Sequence, residues 1–486
     1  MKRKYIISVL LASLFVGCTD KFEDFNTDKK NPPVVPGNSL FTNGQKELAD
    51  QVNQTSVNQN VFKLWAQYWT ETTYIDEANY DIVTRNIPET VYRYYIRESL
   101  KDLTEAARVI SEETDPTTQS TIQNRLMIIE LLKAYAFQQL VDIFGMIPYS
   151  EALNIDNVYP KYDDGAAVYS DLIAKVDAAI DGLDANEESF GSADLFYGGD
   201  VSKWIKFGNS LKIKLGISIA DANPTLAEST IVSAVDGAFA SEADECLIQY
   251  QGSSPNQNPL YQEIILTGRK DYVVANTFVD KLNALQDPRR DHFFSNKING
   301  EYVGGIYGHA NAYANYSHIS DGILQATFPG FIMTYSEILF YLAEAAERGF
   351  AVPNTAEEYY NMGITSSILS WGGTQADVDT YLARTDVAYA TAPDASAEGW
   401  REKIGTQSWI ANYTKGLEAW TTWRRLDYPV FNVPEQWTSV MDIPTRFTFP
   451  VEEQTLNQTK YGEAVNAMGG DELTIKIFWD KFDANE

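Results

Sequence analysis

The most informative stretch of this sequence is Ile122-Gln-Asn-Arg-Leu-Met-Ile-Ile-Glu-Leu-Leu-Lys-Ala-Tyr-Ala-Phe-Gln-Gln-Leu-Val-Asp-Ile-Phe144. Its apolar residues recur at the spacing of an α-helix, at Leu126, Ile129, Leu132, Ala136, Leu140 and Phe144. A second apolar row, with Ile128, Leu131 and Tyr135, covers the other side. Because a helix that is apolar on all sides belongs in a protein interior, we predict that this helix is buried nearly all round.

Much of the remaining sequence has the same periodicity, in residues 88–110, 166–183, 201–220, 333–348 and 355–369. Gly349 stands where a glycine cap would end the fourth of these helices, and Pro353 blocks its continuation. Strand-like alternation is scarce, and its main candidates are Tyr302-Val303 and Thr474 to Phe478. The pattern therefore predicts a mainly α-helical fold, with helices packed in antiparallel pairs and few short strands.

Two regions differ from these helical segments. Residues 251–330 are rich in Gly, Asn, Ser and Tyr, and residues 371–410 are similarly irregular. Irregular segments of this length inside a compact protein are usually functional, so we expect a loop-rich ligand-binding part here. No clean period of 34 residues is visible, which means that a tetratricopeptide-like repeat would have to be degenerate.

The composition excludes two classes of protein. Among 486 residues, 67 are Asp or Glu and 38 are Lys or Arg, which gives a formal net charge of −29. A protein that follows nucleic-acid phosphates needs clustered basic residues, so we expect no nucleic-acid partner. A disordered acidic polymer is also excluded, because 44% hydrophobic and 13% aromatic residues are enough to form a core.

The first eighteen residues indicate the compartment. Met1 to Lys4 are cationic, and the apolar run Tyr5 to Val16 is too short to span a bilayer, which takes about twenty residues. The pattern is typical of a signal peptide. Gly17-Cys18 follows directly and resembles a bacterial lipoprotein processing site, so we predict a signal peptide at 1–17 and lipidation of Cys18. The alternative is an ordinary signal peptide in which this cysteine is incidental.

A tether is predicted after the lipid anchor. Residues 18–37 are polar and carry Pro32, Pro33 and Pro36, which favours an extended link to a globular domain at 38–486. Asp20, Glu23 and Asp24 resemble the acidic export tags of lipoproteins on the outer face of Bacteroidetes outer membranes. Once the signal peptide is removed and Cys18 is acylated, Cys246 is the one cysteine left, so no intramolecular disulfide is expected.

Six groups of residues recur in the order and spacing of a known family. They are Asp142-Ile-Phe-Gly-Met-Ile-Pro-Tyr-Ser-Glu-Ala-Leu153; Trp204-Ile-Lys-Phe-Gly-Asn-Ser-Leu211; Asn258-Pro-Leu-Tyr261 with Arg269-Lys-Asp-Tyr272 and Asp287-Pro-Arg289; Ser336-Glu337 with Ala343-Glu-Ala345; Glu418-Ala-Trp420 with Arg424-Arg425 and Tyr428-Pro429; and Arg446-Phe-Thr-Phe-Pro450 with Glu453 and Asn457. Together they resemble the SusD/RagB family of nutrient-binding outer-membrane lipoproteins, from about residue 18 to the C-terminus.

The resemblance implies a fold and a role. Tetratricopeptide-like helical pairs would form the scaffold, and an irregular face would carry the ligand site. The protein would bind an oligosaccharide or a peptide outside the cell and deliver it to a SusC-like TonB-dependent β-barrel transporter in the outer membrane. On this interpretation the chain is not an enzyme and holds no cofactor.

Hydrolysis of a surface glycan is the main alternative, and it needs a pair of carboxylates. Glu337 and Glu344 lie on one face of a predicted helix. Seven residues of helix rise about 10.5 Å, whereas working pairs lie about 5 to 9.5 Å apart. We therefore expect both carboxylates to pair with arginines or helix ends. A structural or adhesive lipoprotein is a third alternative.

Other catalytic chemistries lack their residues. His292, His309 and His318 do not have the spacing of a helical zinc pair, and Cys246 is isolated. The Gly304-Gly305 and Gly372-Gly373 pairs lack the Lys-Ser/Thr of a phosphate-binding loop. We therefore expect no metal and no cofactor, although so acidic a chain leaves a structural calcium open.

Aromatic and amide side chains of residues 64–80, where a helical stretch passes into a loop, and of the two irregular regions are the candidate ligand contacts. Sugar rings stack their C–H faces on Trp or Tyr, and planar polar groups bind their hydroxyls; peptides use a similar set. The residues selected are Trp69, Tyr74, Asn79, Tyr80, Tyr272, Tyr307, Asn311, Tyr313 and Trp371. Trp65 and Trp69 are four residues apart, so at least one is expected in the core. The helical stripe Trp409, Tyr413, Trp420 and Trp423 is also assigned to the core.

Overall fold

Seventeen α-helices dominate the part of the chain that the computed structural model describes, residues 35–114, 118–434 and 442–484. Cys18 and the predicted signal peptide lie outside these residues. The helices are α1 (Gly37–Asn53), α2 (Phe62–Trp65), α3 (Ile87–Arg93), α4 (Lys101–Ser111), α5 (Gln119–Phe144), α6 (Gly165–Gly182), α7 (Val201–Ser218), α8 (Pro224–Ala234), α9 (Asn276–Ala284), α10 (Arg290–Phe293), α11 (Tyr335–Glu347), α12 (Ala356–Ser370), α13 (Gln375–Leu382), α14 (Arg401–Ala411), α15 (Gly416–Leu426), α16 (Glu453–Leu456) and α17 (Gln458–Met468). The mainly α-helical prediction is confirmed.

Strands are few and short. Four antiparallel pairs form: β1 (Trp69–Glu71) with β5 (Tyr272–Val274), β2 (Ile147–Pro148) with β3 (Tyr162–Asp163), β4 (Cys246–Ile248) with β8 (Gly330–Met333), and β6 (Phe294–Ser295) with β7 (His318–Ile319). The strands predicted at 302–303 and 474–478 are wrong. In the segment 474–478, apolar and polar residues alternate because Ile477 is buried near Gly145. The segment pairs with no neighbouring strand.

Helices that follow one another along the chain pack together, as in α5–α6–α7–α8 and α11–α12. Helix α5 is buried on nearly all sides from Ile128 onward, as its pattern predicts. Glycines on α7 allow close approach of its neighbours: a Cβ at Gly208 would lie 2.7 Å from Ile180 of α6, and one at Gly216 would lie 2.8 Å from Ile231 of α8. None of the described helices is long and apolar enough to cross a bilayer.

The helix predicted at 88–110 forms, but with a change of winding. A π-helical segment, Tyr94–Leu100, joins α3 to α4 without a break. A second π-helical turn, Tyr261–Leu266, stands in the irregular region. Such turns insert an extra residue into helical geometry and often lie near functional sites.

Paired charges are buried between α7, α11 and α15. Glu337 lies 2.6 Å from Lys415 Nζ and 3.6 Å from Lys214 Nζ, and Glu344 contacts Arg425 and lies 2.9 Å from Arg348. We call this set, with Glu418, the scaffold cluster; Glu418 contacts Lys214. The two carboxylates considered for hydrolysis are thus enclosed at 0% and 1% exposure and held by cations.

The aromatic stripe near the C-terminus lies in the core as expected, although two helices carry it. Trp409 lies in α14 and Trp420 in α15, and both are fully buried. Between them Tyr413 is buried, and Thr414, at φ 76°, interrupts the helix that the stripe predicts. Trp423 is half-buried and stacks on Phe431.

Candidate ligand-binding site

Two adjoining cavities lie in the irregular part of the molecule. The first, of about 280 Å³, is lined by Val57, Glu71, Thr73, Tyr74, Glu77, Arg85, Arg269, Asp271 and Tyr272. The second, of about 230 Å³, is lined by Ile264, Ile265, Gly268, Arg269, Lys270, Tyr272, Tyr313, His318, Ile319, Asp321 and Leu324. Because Arg269 and Tyr272 line both, the segment 269–272 is a shared wall.

Strand pairing builds this wall. In the β1–β5 ladder, Glu71 is opposite Tyr272, and the pairing continues when Thr72 N–H donates to the Asp271 carbonyl at 2.9 Å. The Thr72 hydroxyl donates to the Lys270 carbonyl at 2.6 Å. The ladder thus places the acidic end of β1 and the ring of Tyr272 beside one cavity.

The helical scaffold fixes the position of Tyr272. Its hydroxyl donates to the Thr55 carbonyl at 2.8 Å, just beyond the end of α1. Buried Lys63 donates to the Asn53 and Gln54 carbonyls at 3.0 and 2.7 Å, so it occupies the free acceptors at the end of α1. Burial lowers the pKa of Lys63 to about 7.

Acidic groups form the floor of the first cavity. Glu71 and Glu77 are 3% and 0% exposed. Glu71 Oε2 accepts a hydrogen bond from the Ala78 N–H at 3.0 Å, and Glu77 Oε1 lies 2.7 Å from Arg85 Nε. Burial and the neighbouring Glu77 raise the pKa of Glu71 well above its ordinary value. Burial also raises the pKa of Glu77, although Glu71 and Arg85 oppose this shift.

The rim of the first cavity is charged, and its ion pairs are long and exposed to solvent. Arg269 is more than half exposed, and its guanidinium lies 3.4 Å from Glu263 and 3.7 Å from Asp271. Exposed ion pairs at these distances contribute little stability. Arg269 can therefore turn to a ligand hydroxyl in either cavity at small cost.

The second cavity combines apolar and aromatic surfaces. Ile264 and Ile265 come from the π-helical turn. On the other side Tyr313 stacks on His318 with ring centroids 3.8 Å apart, and Lys270 Nζ lies 5.3 Å from the Tyr313 centroid. Flat rings beside exposed charged groups suit a ligand with both C–H faces and hydroxyls.

Three of the nine predicted residues line these cavities: Tyr74, Tyr272 and Tyr313. Tyr74 is 70% exposed, so its ring is free to stack on a ligand at the mouth of the first cavity. Tyr272 is largely buried and presents its ring between the two cavities. These three stay predictions as ligand contacts.

Four predicted contacts are enclosed at no more than 1% exposure, namely Trp69, Tyr80, Tyr307 and Asn311, so direct ligand contact is corrected to support of the wall. The Trp69 ring packs 5.9 Å from that of Tyr272, and its Nε1 donates to the Tyr413 hydroxyl at 3.0 Å. Asn311 Nδ2 donates to the Glu71 carbonyl at 3.0 Å. The Trp69 and Asn311 side chains thus donate their hydrogen bonds to the protein's own core and backbone.

The remaining two predicted residues lie elsewhere. Asn79 is 6% exposed and its Nδ2 donates to the Gly308 carbonyl at 2.7 Å, which ties two loops together. Trp371 is half-buried against Phe293, Phe328 and Tyr413 and is not among the described residues that line the two cavities.

The prediction from sequence missed the charged lining residues. Glu71 and Glu77 lie within the selected segment 64–80, and Arg85 follows it. Arg269 begins the Arg269-Lys-Asp-Tyr272 motif, from which only the tyrosine was chosen. These charged residues lie within a few positions of the selected aromatic residues, and that proximity in the sequence could have identified them as candidates. Among the described residues, no group of three or more His, Cys, Asp or Glu side chains could hold a metal ion.

Comparisons with known proteins agree over most of the chain. A family model described as "Starch-binding associating with outer membrane" matches residues 29–450. Similar solved structures include a chitin-binding protein (26% identity, TM-score 0.80, covering 92% of this chain and 100% of that one) and a SusD homologue from Bacteroides uniformis (25%, 0.79, 91% and 99%). A chitin-binding SusD homologue from Flavobacterium johnsoniae has 22% identity and a TM-score of 0.78, with coverage of 92% and 100%. No curated protein matches the chain.

Proposed function

Because this chain belongs to the SusD-like family, we propose that it binds oligosaccharides at the cell surface and delivers them to a SusC-like TonB-dependent outer-membrane transporter. The observation that carries the proposal is the pair of adjoining cavities with Tyr74, Tyr272 and Tyr313 in their walls. Relatives described as chitin-binding favour a glycan over a peptide.

The lining residues are proposed to make different kinds of contact with the ligand. Tyr74 and Tyr313 offer ring faces to sugar C–H groups, and Arg269, between the cavities, donates to hydroxyls on either side. Asp271, whose side chain is exposed at the first cavity, accepts hydrogen bonds from ligand hydroxyls there. Binding of this kind holds a glycan without breaking a bond.

Hydrolysis by the carboxylate pair considered from the sequence is not favoured. Glu337 and Glu344 are buried in the scaffold cluster, and each contacts two cations. A carboxylate that is enclosed and ion-paired cannot reach a glycosidic bond. The proposal therefore predicts that the purified chain releases no product from starch or chitin oligomers.

The location at the membrane is part of the proposal. The family description refers to association with the outer membrane. We propose that Cys18 is acylated after removal of residues 1–17 and that the tether holds the globular domain on the outer face of that membrane. Each buried acyl methylene contributes about 0.8 kcal/mol, so several chains anchor the protein stably. Mass spectrometry of the mature N-terminal peptide tests the acylation.

Calorimetry tests the binding function. The full chain, solubilised in detergent, is titrated with maltose- and N-acetylglucosamine-based oligosaccharides and with peptides of similar length. We expect saturable binding of at least one oligosaccharide series and none of neutral peptides. Binding of neither sugar series contradicts the proposal. Separately, purification from native outer membranes is expected to bring a β-barrel partner, and isolation of the chain alone contradicts delivery.

A further inference from the structure

Another cavity lies between α9, α12 and α14. We call it the α9–α14 pocket; it has a volume of about 220 Å³ and shares no lining residue with the two cavities of the candidate ligand-binding site. Its walls come from the C-terminal end of α9, from Tyr360 of α12, from segment 386–393 and from the first two turns of α14. Because pockets for drug-sized ligands begin at roughly 300 Å³, this one suits a small molecule.

The α9–α14 pocket is open on one side and closed on the other. Among its lining residues, Ala284 and Pro393 are exposed and mark the mouth. Tyr360 and Gln407 are 1% and 2% exposed and form the floor. The Tyr360 hydroxyl donates to the Val387 carbonyl at 2.9 Å, which joins the floor to the segment on the opposite wall. A small molecule can therefore enter the pocket from solvent and contact a fixed floor.

Thr406 presents an unused hydrogen-bonding group to this pocket. The residue is 7% exposed, and its hydroxyl makes no hydrogen bond with a described residue. Thr365 of α12 differs, because its hydroxyl donates to the carbonyl of Asn361 at 2.7 Å within its own helix. An enclosed polar group without a partner costs stability, so the Thr406 hydroxyl needs a partner that enters the pocket.

Two lysines line the pocket without a carboxylate partner. Among the described residues, neither Lys281 nor Lys403 has a carboxylate oxygen within 4 Å of its Nζ. Lys403 Nζ donates to the Tyr389 carbonyl at 3.0 Å. Lys281, which is half-buried near the end of α9, makes no hydrogen bond or ion pair with a described residue. Its ammonium group thus has three donors available to a ligand.

The two carboxylates of the lining already have donors. Asp386 lies 2.7 Å from the guanidinium of Arg384. Glu402 Oε2 accepts a hydrogen bond from the Ala395 N–H at 2.6 Å. The pocket therefore presents unpaired positive charge, although the chain as a whole carries a formal net charge of −29. A local charge opposite to that of the whole protein favours an anionic group on the ligand.

We propose that the α9–α14 pocket binds a small organic carboxylate with an apolar body. Lys281 Nζ and the Thr406 hydroxyl donate hydrogen bonds to the carboxylate, and Leu285, Tyr360 and Pro393 contact the apolar body. This binding site goes beyond the proposed glycan-binding function and does not depend on it.

The test compares 4-fluorobenzoate with 4-fluorobenzamide, which has the same ring and nearly the same shape without the charge. At pH 7 the benzoate is ionised, because carboxylic acids of this kind have pKa values of about 4. Binding to the full chain in detergent is measured by fluorine NMR titration, with detergent alone as the blank. We expect saturable binding of the benzoate, at least about tenfold tighter than that of the benzamide, because the charge strengthens both hydrogen bonds.

Substitutions assign the binding to the pocket. Lys281→Met keeps the length of the side chain and is expected to weaken benzoate binding about tenfold, with benzamide binding changed less than twofold. Thr406→Val keeps the shape and is expected to weaken benzoate binding about threefold. Lys101→Met is the matched control, because Lys101 also has no carboxylate within 4 Å among the described residues and lies on α4, outside the pocket lining. If Thr406→Val does not fold, the comparison of the two lysine variants decides.

Three results overturn the inference and leave the proposed function standing: no saturable binding of the benzoate, equal binding of the benzoate and the benzamide, or an equal effect of Lys281→Met and Lys101→Met. Tighter binding of 4-fluorobenzylamine than of the benzoate would also overturn it, since the carboxylates would then determine the charge preference. Oligosaccharide affinity is expected to be the same with and without saturating 4-fluorobenzoate. Competition between the two would place the benzoate in the glycan cavities and contradict a separate site.

Discussion

Two buried groups of carboxylates in this molecule differ in how many cations neutralise them and in the direction of their pKa shifts. In the scaffold cluster, Glu337 and Glu344 each contact two cations, and burial alone would raise the pKa of Glu337, but Lys415 and Lys214 lower it below its ordinary value. In the first cavity, Arg85 pairs with Glu77, no described cation lies within 4 Å of the Glu71 carboxyl group, and the pKa of Glu71 is raised. The difference shows that this fold neutralises the buried carboxylates of its scaffold with cations but leaves the buried Glu71, at the first cavity, without a described cation within 4 Å.

The scaffold cluster is expected to give the largest loss when one charge is removed. Glu344→Gln leaves Arg425 buried without its carboxylate partner, and such changes cost about 3–5 kcal/mol. Urea denaturation measures the free energy of unfolding. Glu105→Gln, which breaks an exposed pair with Arg108, is the control and is expected to cost less than about 0.5 kcal/mol. A similar small loss for both variants would mean that the scaffold cluster does not depend on its pairing.

Glu71 and Glu337 are expected to change the free energy of unfolding in opposite directions as pH rises. A raised pKa means that the folded state binds the proton more tightly, so Glu71 lowers the free energy of unfolding as pH rises above the ordinary glutamate value of 4.5. The slope is at most about 1.4 kcal/mol per pH unit for one group. Compared with the unaltered chain, Glu71→Gln is therefore expected to gain stability between pH 5 and 8.

Glu337 is expected to act in the opposite direction, because its pKa is lowered. Its contribution is present above pH 4.5 and is lost as pH falls through its folded value. Asp142 and Asp480, whose pKa values burial raises to about 6 and about 7, add to the slope of every variant, so the comparison is made as a difference between variants. Parallel pH profiles for Glu71→Gln and the unaltered chain would contradict the contrast.

Removal of the exposed ring at the first cavity is expected to affect binding alone. Tyr74→Ala loses one stacking face, worth about 1 kcal/mol, which lowers oligosaccharide affinity about fivefold. Tyr159→Ala is the matched control, because Tyr159 is 58% exposed and is not among the described residues of either cavity lining. Calorimetry measures both. An equal effect of the two substitutions would place the ligand elsewhere.

The smallest effect is expected at the shared wall. Arg269→Ala removes a donor that is loosely paired, so affinity is expected to fall about threefold and the free energy of unfolding to change by less than about 0.5 kcal/mol. Arg97→Ala removes a similarly exposed arginine from the π-helical segment Tyr94–Leu100 and is expected to leave oligosaccharide affinity unchanged. A loss of stability with Arg269→Ala would mean that this arginine holds the wall together.

Helix positions were predictable because their signal is local. The apolar spacing in residues 122–144 places α5 to within three residues of its observed start, and Gly349 follows α11 with φ +80° as a helix-ending glycine. The strands were not predictable, because apolar and polar residues also alternate in segments such as 474–478, where one side is buried but no strand forms. The break at Thr414 was also missed, since the aromatic spacing continues across it.

The site was predictable only in outline. The sequence selected aromatic residues in segment 64–80 and in the irregular regions, and three of them, Tyr74, Tyr272 and Tyr313, line one or both of the cavities that Arg269 separates. It could not separate them from Trp69 or Tyr307, because whether a ring faces solvent depends on pairing between distant segments such as β1 and β5. The position of Glu71 in the acidic floor depends on the same pairing of β1 with β5, and no local sequence pattern predicts it.

The shared wall has a consequence for the length of the bound glycan. A single chain that lies across Arg269 occupies both cavities, and its second contact forms at the high effective concentration that the first contact creates. We therefore expect affinity to rise with the length of the glycan until it occupies both cavities, so that an oligomer long enough to pass Arg269 binds more tightly than its shortest fragments.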